Sequence, residues 1–307
     1  MLKNLATVQT IATTVNTEEA IAQYTKSLDA KPKTKETYAK ALRVFFAWSG
    51  NTVPTERAQI IAYKEHLVAN YKATTVNAYI TAIKGFYSFL EAEGICPNYT
   101  ANIKGVKNGK GFKKDALTVP QAKALLNNSE DTLEGKRNTA IITLMLYTGL
   151  RTVEVERANV EDLRQTGGET LLYIQGKGRD TKDEFVVLTA EVIGAIAEYM
   201  AMRGKVKPTE PLFSASGNRN QNGRLTTRSI SRIIKNAMLE NGINSDRITA
   251  HSLRHSAVTF SLLGGATIQE AQQLARHSNI NTTLIYAHNI NRIKNAAERN
   301  IADILRA

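Results

Sequence analysis

Residues 105–116 read GVKNGKGFKKDA, and they constrain the fold more than any other stretch of the chain. Three glycines and four lysines in twelve residues give wide backbone freedom and little apolar surface, so the segment reads as a flexible basic linker. Each flank must then bury a core of its own, and 307 residues suffice for two. The expected layout is a flexible arm over 1–16, a helical domain over 17–104, the linker over 105–116 and a larger domain over 117–307.

The periodicity on either side fills in that layout. In the arm, Asn4, Gln9 and several threonines interrupt the apolar residues, so no secretory core forms. Ile21, Tyr24 and Leu28 mark the first helix after a cap near Thr17. A second runs from about 34 to 48, with Tyr38, Leu42, Phe45 and Phe46 inward. A third covers about 55–71, and a fourth carries Val76 to Leu90 and stops at Gly94. The aromatics of these helices read as core rather than as platforms for nucleotide bases.

Beyond the linker, Pro120 sits in the first turn of a helix. Residues Ala140–Tyr147 are too uniformly apolar for a surface helix, and Gly149 ends the run. Arg151 and Glu154 follow, three apart. Residues 170–175 and 184–188 read as a β-hairpin around GKGRDTKD, which puts Lys177 between two glycines at a strand end. That loop lacks the spacing of a phosphate-binding P-loop. A helix follows over 190–203. Then Thr226 or Thr227 caps another that displays Arg228, Arg232 and Lys235, in a stretch without acids from Pro211 to Leu239. The tail over 290–307 is amphipathic, with Ile290, Ile293, Ala297, Ile301 and Ile304 in one stripe. The fold is therefore expected to be mainly α with a small β-hairpin or sheet.

Charge and chemistry point to a polyanion. The formal net charge is +12, and positive charge lies in both halves and peaks in the linker. That distribution suits nucleic acid held by two domains. Cys96 is the sole cysteine, so no disulfide framework or cysteine-based metal site is expected. No apolar run reaches the length of a membrane span. From His251 to Tyr286 the chain gathers His251, Arg254, His277 and Tyr286. Arginine grips phosphate oxygens, histidine moves protons near neutral pH and tyrosine can attack as a nucleophile. His251 and His255 have the i, i+4 spacing of a helical zinc site, but Ser252 stands where that chemistry needs glutamate. There is no acid cluster for a two-metal nuclease either. No metal or cofactor is expected.

In order the chain holds TGLRTVE, GKG at a strand end, HSLRHS, ARHSN and TTLIYAH. This series closely resembles the tyrosine recombinases, the phage integrase family that includes the Xer proteins. The likeness spans residues 17–307 and implies a SAM-like core-binding domain over 17–104 and an α+β catalytic domain over 117–307. The two would close on DNA, and residues 290–307 would form an exchange helix. Matched residue by residue, Arg151 and Arg254 hold the scissile phosphate and Lys177 protonates the departing 5′-oxygen. His251 transfers protons, His277 touches a phosphate oxygen and Tyr286 is the nucleophile. Glu154 orients its neighbours. Lys113, Lys114, Arg228, Arg232, Lys235 and Arg276 are candidate DNA contacts.

Arg276 stands where the family usually has glycine, and Ser252 replaces a commoner aspartate or lysine. With no arm-binding domain before residue 17, the layout is closer to Xer-like or mobile-element recombinases than to large phage integrases. The implied partners are double-stranded DNA with an inverted-repeat core site and three further copies in a homo-tetramer on two duplexes, with room for a second recombinase or accessory factor. The implied location is the cytoplasm, at the nucleoid of a bacterium or mobile element, with no membrane partner. Two alternatives stay open here. One is a type IB-like topoisomerase, against which the second histidine and the long tail count. The other is a DNA-binding regulator with a decayed active site, against which the complete set of reactive residues counts.

Overall fold

A computed structural model of the chain describes residues 16–107, 115–127, 130–176, 179–216 and 223–306, without the side chains at 293 and 294. The arm up to residue 15, Lys113, Lys114 and Lys177 lie outside the described residues. Two compact units divide the chain, Met1–Lys110 and Gly111–Ala307. As expected, the fold is mainly helical with one small sheet.

The first unit contains α1 (Thr17–Ser27), α2 (Pro32–Trp48), α3 (Arg57–Asn70) and α4 (Ala73–Ala92). Asn16, not Thr17, caps α1, its side chain accepting the Glu19 N–H. α2 begins two residues before the expected start because proline at a first helical position gives up no hydrogen bond. The aromatics are core. Phe45 packs edge-on against Tyr63 at 4.9 Å between ring centroids, and Tyr24 against Phe86 at 5.6 Å. Tyr87, fully buried, donates its hydroxyl to the Pro54 carbonyl at 2.6 Å. The start of the expected linker is tied to this unit, since the Asn77 amide both donates to and accepts from the backbone of Val106.

The second unit is built around α6 (Leu133–Thr148), which follows α5 (Val119–Asn127). Every residue of α6 from Ala140 to Leu146 is buried, as its uniform composition requires. Three antiparallel strands follow in spatial order: β1 (Leu163–Thr166), β2 (Glu169–Ile174) and β3 (Glu184–Val187). β2 and β3 form the expected hairpin, and β1 extends it through a two-residue turn at Gly167 and Gly168, both at positive φ. Then come α7 (Thr152–Arg157), which precedes the sheet, α8 (Ala190–Arg203), α9 (Thr227–Glu240), α10 (Ala250–Leu263), α11 (Ile268–Ala275), α12 (Ile280–Lys294) and α13 (Ala297–Arg306). Asp115, at the far end of the expected linker, is fastened to this unit by both Nε and Nη2 of Arg247.

The tail departs from a single amphipathic helix. α12 ends at Lys294 with Asn295 as its C-cap, so Ile290 belongs to the helix that carries Tyr286, while Ile301 and Ile304 lie on the separate α13. Among the described residues, no helix is long and apolar enough to cross a membrane.

Candidate active site

Three places in the second unit converge on one pocket: the end of α6, the start of α10 and the turn from α11 into α12. α6 ends with Gly149 in the left-handed region at φ 63°, a backbone conformation that favours glycine, and Ala257 and Arg254 pack within ordinary contact of it. The turn makes Arg151 the N-cap of α7 and places Glu154 in its first turn, wholly buried. One carboxylate oxygen of Glu154 accepts the backbone N–H of Arg151 at 2.8 Å. The other accepts Nη1 of Arg151 at 2.8 Å. Glu154 thus holds the arginine at both its backbone and its guanidinium.

α10 starts at a capping box in which the Ser252 hydroxyl accepts the Thr249 N–H at 3.0 Å. Serine at 252 therefore serves the helix start. The 3.6-residue period then puts His251, Arg254 and His255 on one face. Arg254 is 2% exposed and donates Nη1 to the Gly149 carbonyl at 2.7 Å and Nη2 to the Ala275 carbonyl. Burial, with Arg151 and Arg276 nearby, pulls its pKa down to about 9, so it remains charged at neutral pH.

α11 ends at Arg276, itself left-handed at φ 52°, and the chain turns back through His277 into α12. His277 Nδ1 lies 2.9 Å from the Thr283 hydroxyl. Tyr286 sits mid-way along α12 and is 5% exposed, with its hydroxyl against Nδ1 of His255 and its ring nearly parallel to His277 at 6.4 Å. Burial pushes the phenol up to about 12. Burial, reinforced by neighbouring positive groups, drops His255 and His277 to about 4. At neutral pH the phenol keeps its proton and both imidazoles are uncharged. One hydrogen bond therefore joins a neutral phenol to a neutral imidazole at His255 Nδ1.

The pocket thus gathers Arg151, Glu154, His251, Arg254, His277 and Tyr286. Lys177 lies outside the described residues, but its loop has a fixed base. Arg179 pairs with Asp183 at 2.7 Å and Glu184 at 2.9 Å, and the Gly176 carbonyl accepts from Arg157. Among the candidate DNA contacts, Arg228 and Arg232 are exposed on α9. Lys235 donates to the Ser245 carbonyl and walls a groove shared with Arg151, Thr249 and His251. Arg276 is held inside the site, its side chain 9% exposed and paired with Glu154 at 3.0 Å.

The sequence reading misses His255 as a partner of Tyr286. The i, i+4 spacing of His251 and His255, weighed there only against zinc, is the signal that puts both rings on the site's face. They meet edge to face at 4.6 Å.

Residues 115–292 match the family model described as the phage integrase family, and residues 12–94 match the phage integrase N-terminal SAM-like domain. A tyrosine recombinase of Synechocystis sp. is 30% identical over 292 residues, covering 89% of this chain and 90% of the relative. Tyrosine recombinase XerD of Rickettsia conorii is 31% identical over 250 residues, covering 76% and 80%. Among solved structures, XerH recombinase bound to a palindromic difH substrate in a post-cleavage complex matches with a TM-score of 0.71 at 22% identity, over 86% of this chain and 78% of that one. A lambda integrase dimer bound to a COC′ core site matches with a TM-score of 0.71 at 16% identity, over 93% and 81%. At these identities the structural likeness is one of fold.

Proposed function

The chain belongs to the phage integrase family, and on that premise we propose that it is a site-specific DNA recombinase acting through a covalent 3′-phosphotyrosine. The observation that carries this reading is the hydroxyl of Tyr286, held against a neutral imidazole in a pocket lined by Arg151, Arg254 and His277. In the proposed cleavage the Tyr286 oxygen bonds to phosphorus and its proton passes to an imidazole, for which His255 is in contact. The bond from phosphorus to the 5′-oxygen breaks, and Lys177 supplies a proton to that oxygen. Arg151 and Arg254 stabilise charge on the non-bridging oxygens as fixed cations. The phosphotyrosine conserves the energy of the broken linkage, so rejoining by a 5′-hydroxyl needs no ATP.

DNA is the partner, with Lys113, Lys114, Arg228, Arg232 and Lys235 as proposed backbone contacts. A tetramer on two duplexes is supported by α13, which buries none of its residues and exposes Ile301, Ile304 and Leu305 by 58%, 74% and 80%. An apolar groove lined by Val119, Leu126, Tyr147, Phe260 and Leu263 offers such a helix from a second copy a place to dock.

The test begins with a target duplex, selected from a random pool by binding to Tyr286→Phe protein. A nicked form of that duplex is then mixed with the wild-type chain and with the variant. The wild type should yield a protein–DNA band that survives denaturant. Tyr286→Phe should bind equally and yield none. An adduct from the variant would assign the nucleophile elsewhere.

A further inference from the structure

Arg276 adopts a backbone conformation that L-residues avoid, and among the described residues only Asn51 and Asn102 share a positive φ without being glycine. Asparagine tolerates that region through its short polar side chain, whereas arginine has no such help. Its Nε–H is also buried without a hydrogen-bond partner. Glycine at this position would relieve both costs, so the side chain's contribution lies elsewhere.

Its contacts show where. Nη2 of Arg276 meets Glu154 Oε2 at 3.0 Å and the Gly149 carbonyl at 3.3 Å, and Nη1 meets the Leu274 carbonyl at 2.8 Å. Glu154 also accepts from Nη1 of Arg151, and the Gly149 carbonyl from Nη1 of Arg254. One guanidinium therefore shares an acceptor with each of the two arginines proposed to hold the phosphate. A wholly buried carboxylate needs cationic partners. Without Arg276 the charge of Glu154 falls on Arg151 alone, drawing that fork away from a phosphate and removing one positive charge from the pocket.

We infer that Arg276 is a positioning residue for strand cleavage, which satisfies Glu154 and braces the Gly149 carbonyl so that Arg151 and Arg254 stay directed at the scissile phosphate. This rests on the recombinase reading above. It differs from a DNA-contact role, because it predicts a loss in rate and not in affinity.

The experiment measures single-turnover adduct formation and half-site affinity on the duplex selected with Tyr286→Phe, using full-length protein. The variants are Arg276→Gly, Arg276→Lys, Glu154→Gln and the double variant Arg276→Gly/Glu154→Gln, each checked for wild-type circular dichroism. Arg276→Gly should slow adduct formation about 10- to 100-fold, by analogy with the loss when a residue that orients a metal ligand is removed. Its affinity should stay within about twofold, since binding rests on many other phosphate contacts. Arg276→Lys keeps the charge without the fork and should recover part of the rate. The double variant should be faster than Arg276→Gly, because the unpaired carboxylate is gone. A wild-type rate in Arg276→Gly, a fall in affinity matching the fall in rate, or no recovery in the double variant would each overturn the positioning role. Failure of the wild type to form the Tyr286 adduct would overturn the recombinase reading and the role together.

Discussion

His255 and His277 are both held at about pKa 4, against about 6.5 for a free imidazole. Below about pH 6.5 the unfolded chain takes up protons that the folded one refuses, so folding loses stability as the pH falls from about 6.5 to about 4 and levels off below that. Denaturation midpoints of the DNA-free protein at pH 7.5, 6 and 5 should decline, and His255→Gln should make the decline shallower. An unchanged slope in that variant would mean that His255 titrates normally. Which residues line the pocket is largely legible in the sequence, because TGLRTVE, HSLRHS, ARHSN and TTLIYAH name them by type and order. How they touch is not. The pairing of His255 with Tyr286, and the inward turn of Arg276, depend on where α11 stops and how α12 returns against α10. No single segment encodes either.

The helices of the first unit are legible from a 3.6-residue apolar period, and α6 from a uniformly apolar run that stops at Gly149. β1 escapes because LRQT has no alternation, and only the Gly167–Gly168 pair hints at its turn. The break between α12 and α13 escapes because the spacing of isoleucines runs on across Asn295. Packing inside an element sets a contrast that can be measured in the first unit. The Tyr24 hydroxyl is buried with no partner, whereas that of Tyr87 is bonded to Pro54. Tyr24→Phe should therefore leave stability unchanged or raise it by up to about 1 kcal/mol, while Tyr87→Phe should lower it by about 1–2 kcal/mol. Denaturant unfolding of the full chain reads both, and equal losses would show that Tyr24 has an acceptor.

Over the whole molecule, the division into two units is legible from glycine and lysine alone, but not that the two ends of the basic stretch are fastened, because Asn77 and Arg247 hold Val106 and Asp115 from distant positions. Assembly is where α13 should matter. Truncation after Ala296 removes the helix without shortening the one that carries Tyr286. Half-site affinity and thermal stability should hold, and the species with two duplexes should disappear from native gels. If that species persists, the helix docks within its own chain. The joint at Asn295 also sets which changes of length the tail can absorb. A residue added between Tyr286 and Lys294 lengthens a rigid rod by about 1.5 Å and swings everything beyond it by about 100°. One added at the joint leaves the phase of the helix that carries Tyr286 untouched but parts Arg292 from Glu298, which pair across it. Insertions on the two sides of a single asparagine therefore differ in kind, one resetting the helical phase of the tail and the other breaking the clasp that sets its angle.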